Sequence, residues 1–205
     1  MQRAKGIYEQ AKRDAQLQMR RTLIDLAGQL LATEGPDALA VRRIAEAAGC
    51  STKVIYASFG SKSGLAEALY LEGFDRIRQR MEAVASEPDP AQRLRLYALE
   101  NRAFALDSTE FYGLMFEKNI PGYEPSRVAI YKATQVFGFL LVAVQDCIDQ
   151  GFFPPVDKAA VVRKLWATQH GYISLGLNGY LELGETRDEY LDLVDDVISA
   201  VRARA

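Results

Sequence analysis

Apolar residues recur at three- and four-residue spacing along almost the whole chain, a period that only helices satisfy. Strand-like alternation and hairpin signals are absent. The chain reads as all-α. Leu23, Leu26, Ala27, Leu30 and Leu31 form one apolar stripe within a helix over 17–32, which Gly35 and Pro36 end. Short helices follow at 41–48 and 52–58, separated by Gly49-Cys50-Ser51. Ser61 is placed to cap a long helix to about Ala85, and "SEPDP" (86–90) reads as a linker. Helices are expected at 90–107, 109–118, 125–150, 157–182 and 186–203, with breaks at Asp107-Ser108, 119–125, 151–155 and 183–186. The segment 128–148 is apolar on nearly all sides, which predicts a central buried helix. The first sixteen residues are polar and basic, either an arm or extra helical turns.

Charge divides the chain. Net charge is −2, yet residues through Gly64 hold ten Lys/Arg against six Asp/Glu, leaving fifteen against twenty-one behind them. A basic front suits a polyanionic partner. Cys50 and Cys147 form no CxxC pair, which argues against a disulfide scaffold and fits a reducing compartment. No signal-like segment opens the chain. The run Val136–Val144 is far short of the ~20 residues that span a bilayer. The expectation is a cytoplasmic protein with no membrane partner.

The stretch Val41–Phe59 has the spacing of a helix-turn-helix. Ala45 is small where two helices cross, and Gly49 can take the turn's positive φ. Ser51 is placed to cap the second helix, and Ile44, Ala48, Cys50 and Ile55 can face inward. The second helix of such a unit lies in the DNA major groove, and its outward residues are Thr52, Lys53, Tyr56 and Ala57. The same spacing also fits a helical corner with no DNA role.

The flanks extend the pattern. "LIDLAGQLLATEG", "IAEAAGCS", "VIYASF" and "SKSGL" stand in register over Leu23–Leu65. There the chain resembles the tetracycline-repressor (TetR) family of transcriptional regulators. "WATQHGYISL" (166–175) also resembles a Trp-x-x-x-His-Gly element of one C-terminal subgroup. The resemblance implies an N-terminal arm and three-helix DNA-binding domain over 1–64, and a ligand-binding and dimerisation domain over 65–205. It implies double-stranded operator DNA, a small-molecule effector and a second copy of the chain as partners, and no cofactor. By position, Tyr56 and Lys62 would contact phosphate. Ser51, Thr52, Lys53, Val54 and Ala57 would face bases or the sugar-phosphate chain, and Arg42 and Arg43 begin the helix that crosses the backbone. The chain departs from the family pattern at Ala40, where a capping Ser or Thr is usual, and at Lys53, Ser58 and Gly60. Lys53 is expected to add a guanine or a phosphate contact.

The acidic rear is aromatic. Tyr97, Phe104, Phe111, Tyr112, Met115, Phe116, Tyr131, Phe137, Trp166 and His170, with Asn101 among them, are expected to line an apolar pocket with a few polar groups. Each taken alone also suits ordinary core. His170 is the only histidine and has no metal-ligand partner at the required spacing, so neither a metal nor a catalytic site is expected. Gly176 and Gly179 are read as points of close helix approach. Tyr190, Val194, Val197 and Val201 form a stripe, and the resemblance implies that it faces a second copy. The leading function is a ligand-responsive dimeric repressor on a palindromic operator, released by a small apolar or aromatic effector. The alternative is an α-helical enzyme or binding protein acting on an apolar small molecule.

Overall fold

A computed structural model of the chain describes residues 2–117, 120, 122–182 and 187–203, the side chains of residues 2–5 excepted. Among these residues every regular element is helical: α1 (Gln2–Glu34), a 3-10 turn (Pro36–Leu39), α2 (Val41–Ala47), α3 (Thr52–Phe59), α4 (Lys62–Val84), α5 (Pro90–Asp107), α6 (Thr109–Phe116), α7 (Arg127–Asp149), α8 (Lys158–Leu177) and α9 (Arg187–Arg202). The all-α expectation holds.

The front of the chain closes around the expected stripe. Leu23, Ala27, Leu30 and Leu31 of α1 are buried with Ile44, Ala45, Ile55 and Phe59. Gly35 turns the chain at φ 79°, and Pro36 then opens the 3-10 turn. Gly49 takes φ 62° between α2 and α3. The basic N-terminal segment continues α1, so that helix has 33 residues and a length of about 50 Å. Its first half carries exposed Ile7, Tyr8 and Leu17.

The boundary read at 64/65 falls inside α4, which runs from the front into the body. There α4 packs on α5, α6 and α7, while α9 packs on α5 and α8. Two glycines let α6 sit close. A Cβ on Gly28 of α1 would lie 2.8 Å from the Phe111 ring, and one on Gly73 of α4 would lie 2.5 Å from Met115 Sδ.

Two expected elements differ from those observed. α7 is not buried all round. Ala129, Ala133, Val136, Leu140, Ala143 and Val144 face the core, but Val128, Ile130, Tyr131 and Val142 are exposed. Its length and composition would suffice to cross a membrane, yet it packs on α4, α5 and α8 as a core helix does. α8 ends at Leu177, five residues before the expected 182. Gly179 takes φ 81°, and the Gly179 and Tyr180 N–H groups donate to the Gly176 and Leu175 carbonyls, which is a glycine helix stop. The expected break at 183–186, and Asn119 and Pro121 of the break at 119–125, lie outside the described residues. Both cysteines are free thiols, and burial pushes the Cys147 thiol up to about 12, so it is unreactive.

The joint between α3 and α4 is tightly packed. Ser61 accepts the Gly64 N–H at 3.0 Å, as expected of a cap. A Cβ on Gly64 would lie 2.0 Å from the Phe59 carbonyl oxygen. Replacing a helical glycine by alanine ordinarily stabilises by about 1 kcal/mol. Gly64→Ala is expected to reverse that sign and cost on the order of 1–3 kcal/mol, because rigid backbone must move. Urea denaturation of wild type and variant measures this, and an unchanged or raised midpoint would contradict the close packing.

Candidate DNA-reading face and ligand pocket

The front exposes most of the expected DNA-facing residues of α2, α3 and the start of α4. Arg42, Ser51, Lys53, Tyr56, Ala57 and Lys62 are exposed, with Tyr56 at 50%. Thr52 is half-buried, and so is Val54, whose side chain packs against the core rather than pointing outward. Lys62 opens α4 beside backbone N–H groups that attract anions in their own right. Arg43 is half-buried and engaged within the chain: its Nε donates to Glu34 Oε2 at 2.9 Å, and Glu46 lies at 3.9 Å. That hydrogen bond also holds the Glu34 carboxyl below the ordinary carboxylate range. Arg43 therefore ties α2 to the end of α1. Ser51 precedes α3 in extended conformation but makes no side-chain cap, and α2 has none at Ala40 either.

A residue with no motif to mark it holds α3 in place. Arg20 of α1 donates to the Ser58 carbonyl, and its guanidinium lies 4.5 Å from the centre of the Phe59 ring. One side chain thus satisfies the end of α3 and packs on it.

In the body, six expected pocket residues converge. The Tyr112 hydroxyl and His170 Nδ1 share a hydrogen bond of 2.8 Å. Trp166 stacks on His170 at 5.4 Å, Phe116 meets His170 at 5.0 Å, and Phe137 stands edge-on to Trp166 at 5.5 Å. Phe104 backs Tyr112. Beside this cluster lies a small cavity of about 30 Å³, lined by Phe116, Phe137, Trp166 and the expected Asn101, together with Gln169 and apolar residues of α4 and α7. Phe116 also borders an open cleft of about 680 Å³, which Met115, Tyr70, Tyr123 and Ile130 line. Sequence spacing does not mark the α4 wall of the cavity, Phe74, Ile77 and Met81, because an α4 core stripe and a pocket wall share one period.

Four expected pocket residues lie elsewhere. Tyr131 is 67% exposed, because it sits on the outer side of α7. Phe111 fills the seam between α1 and α4, with the Arg76 guanidinium 4.4 Å from its ring centre. Met115 packs on Gly73 and reaches only the outer cleft. Tyr97 is buried against Phe139.

The stripe read as facing a partner is turned inward. Tyr190, Val194 and Val201 are at most 2% exposed within one chain, and the Tyr190 hydroxyl donates to the Ala98 carbonyl at 3.0 Å. Val197 is partly exposed. Gly179 caps α8, and no other described atom of the chain lies within 4 Å of where its Cβ would stand. Gly176 is half-buried and gives its carbonyl to that cap.

Burial holds the His170 imidazole below the ordinary histidine value of 6.5, against the opposing pull of Glu117. The folded state therefore binds the proton less readily than the unfolded chain. Stability should be level above about pH 6.5 and fall as pH drops below it. Urea midpoints at pH 7.5, 6.5 and 5.5 measure the slope, and His170→Gln is expected to flatten it. An equal slope in both proteins would show that His170 is not its source.

Comparison with known proteins fits this architecture. Residues 23–69 match a family model described as bacterial regulatory proteins, tetR family, and residues 94–198 match one described as tetracyclin repressor-like, C-terminal domain. A protein of unknown function from Rhodococcus sp. RHA1 is 26% identical, with TM-score 0.78, over 89% of this chain and 95% of that one. PfmR, a TetR family transcriptional regulator from Thermus thermophilus, is 22% identical with TM-score 0.66 over 84% of this chain and 96% of that one. AibR, solved in complex with isovaleryl coenzyme A and operator DNA, is 19% identical with TM-score 0.65 over 89% and 97%. No protein of curated function matches the sequence significantly. The second model alone spans half of the 205 residues, and with the reading head matched as well, the chain belongs to the TetR family of bacterial regulatory proteins.

Proposed function

We propose that the chain is a repressor that reads a palindromic operator as a homodimer and releases it when a small apolar or aromatic effector occupies the body. The observation that carries this reading is the exposure of Arg42, Lys53, Tyr56 and Lys62 on the helix-turn-helix and the start of α4. Three cations and a phenol on one side of a helix-turn-helix suit a phosphate chain with a groove between its strands. AibR lends the general scheme, being solved with both an acyl thioester and operator DNA.

Dimerisation is assigned to the outward face of α8 and α9 rather than to the buried stripe. Leu175 is 49% exposed and Leu193 36% exposed, Val197 is partly exposed, and a Cβ on Gly171 would meet open space. Two heads held by such a four-helix contact would present two α3 helices about 34–36 Å apart, one turn of DNA.

Release needs a state in which that spacing is wrong. α6 is suited to transmit it. Tyr112 and Phe116 touch the aromatic cluster, while Phe111 of the same helix touches α1 of the head. A ligand that displaces Phe116 would shift α6 and, through Phe111, the angle of the head.

A gel shift against DNA upstream of the chain's own gene should show a retarded complex that Tyr56→Phe and Lys62→Ala weaken, and no complex with any upstream fragment would contradict the reading. Lys53→Ala, which removes one contact from each protomer, should either lower the slope of log affinity against log salt by about 1.8, for a phosphate contact, or relax preference at one base pair of each half-site, for a guanine contact. Leu193→Arg should convert the dimer to monomer in sedimentation and abolish the shift. A dimer unaffected by that change would place the interface elsewhere.

A further inference from the structure

The cavity beside Trp166 has one polar end, and that end is unfinished. Gln169 is 3% exposed, and its Nε2 has no hydrogen-bond partner among the described residues. Its Oε1 accepts the Asn101 Nδ2 at 3.4 Å. The orientation of these amides follows from their neighbours. Asn101 also bonds the hydroxyls of Tyr112 and Tyr190, and the Tyr190 proton goes to the Ala98 carbonyl. The Asn101 amide nitrogen is therefore the end that meets Tyr190, and Gln169 Oε1 accepts from that same nitrogen. The Gln169 N–H groups are then left to donate into the cavity, where an unmet buried donor is costly.

The remaining wall is uncharged. Phe74, Ile77, Met81, Val136 and Leu140 line it with Phe116, Phe137 and Trp166. A carboxylate or phosphate placed there would lose its hydration with no cation to replace it. The cavity is too small for a ring, but only Phe116 is common to it and to the large outer cleft. Rotation of that one side chain would join the two.

We propose that the effector is an uncharged, largely apolar or aromatic molecule with one hydrogen-bond acceptor, seated with that acceptor on Gln169 Nε2 after Phe116 has swung aside. This rests on the reading of the pocket as the effector site and adds the chemistry it selects. The acceptor matches the unpartnered amide at the polar end of the inner chamber, the flat body matches Trp166 and Phe137, and a polyanionic ligand is excluded from that chamber.

Three molecules of similar shape separate these features. Acetophenone carries the acceptor, isopropylbenzene replaces it by a methyl group, and benzoate replaces it by a charge. The chain has one tryptophan, so its indole N–H gives one resonance, placed at the cavity, in a ¹H–¹⁵N spectrum. Acetophenone and isopropylbenzene should both move that resonance saturably, and benzoate should not. The affinity ratio of acetophenone to isopropylbenzene should fall about tenfold or more in Gln169→Leu, whose retained isopropylbenzene binding reports an intact fold. If that variant does not fold, Gln169→Met serves in its place. An unchanged ratio, or benzoate binding as tightly as acetophenone, overturns the assignment. If none of the three binds, both the assignment and the effector pocket fall. If acetophenone binds as described yet leaves operator affinity unchanged, the assignment of the pocket's chemistry stands and the repressor reading fails.

Discussion

The seat of Phe111 between α1 and α4 is the contact on which the two halves of this molecule depend. Its ring lies where a side chain on Gly28 would have to be, 2.8 Å from the ideal Cβ position. The Arg76 guanidinium covers the ring and reaches Asp25 on α1 at 2.6 Å and Glu72 on its own helix at 2.8 Å. Exposed ion pairs of this kind contribute little alone. The exclusion of volume at Gly28 and Gly73 is the harder constraint, because a packed seam has few alternative arrangements. A head joined to its body by one continuous helix, α4, and one wedge, α6, has few ways to tilt.

That geometry gives each face of α6 a different neighbour. Phe111 meets the head, whereas Tyr112 and Phe116 meet His170 and Trp166. Burial keeps the His170 imidazole and the Tyr112 phenol in their neutral forms, the phenol far above its usual range. The aromatic cluster is therefore a region of low charge into which an apolar molecule can enter without displacing an ion. The charged groups that give the head its character lie on the opposite side of this seam.

Much of this architecture is legible in the amino-acid sequence. The helix period, the stops at Gly35 and Gly49 and the cap at Ser61 are local, and local rules find them. Lys53 and Tyr56 stand out because outward positions on a short amphipathic helix follow from its inward ones, whereas Lys62 is marked by the family resemblance alone. Partner identity is what local rules miss. Tyr190 and Val194 form a true stripe, but a stripe does not say whether its cover is the same chain or another. Phe111 and Met115 are aromatic or soft residues on the right helix, yet a turn of 100° per residue sends them to α1 and α4 instead of the cavity. Arg43 carries the charge expected of a phosphate contact, but Glu34 claims it. Gly179 ends α8 where continued apolar spacing extends it. Each of these depends on what another segment places opposite, which no window of sequence contains.

Coupling of pocket and operator through the Phe111 seat is the central claim. Linkage allows a direct measurement, because a ligand that weakens DNA binding by some factor must itself be weakened by DNA by the same factor. The factor is obtained by titrating a pocket ligand into the protein with and without saturating operator, for wild type and for Gly28→Ala, whose added methyl displaces the ring. Coupling through this seat predicts that Gly28→Ala still binds the ligand and the operator separately, while the coupling factor collapses toward one. A factor unchanged by that methyl group would contradict it.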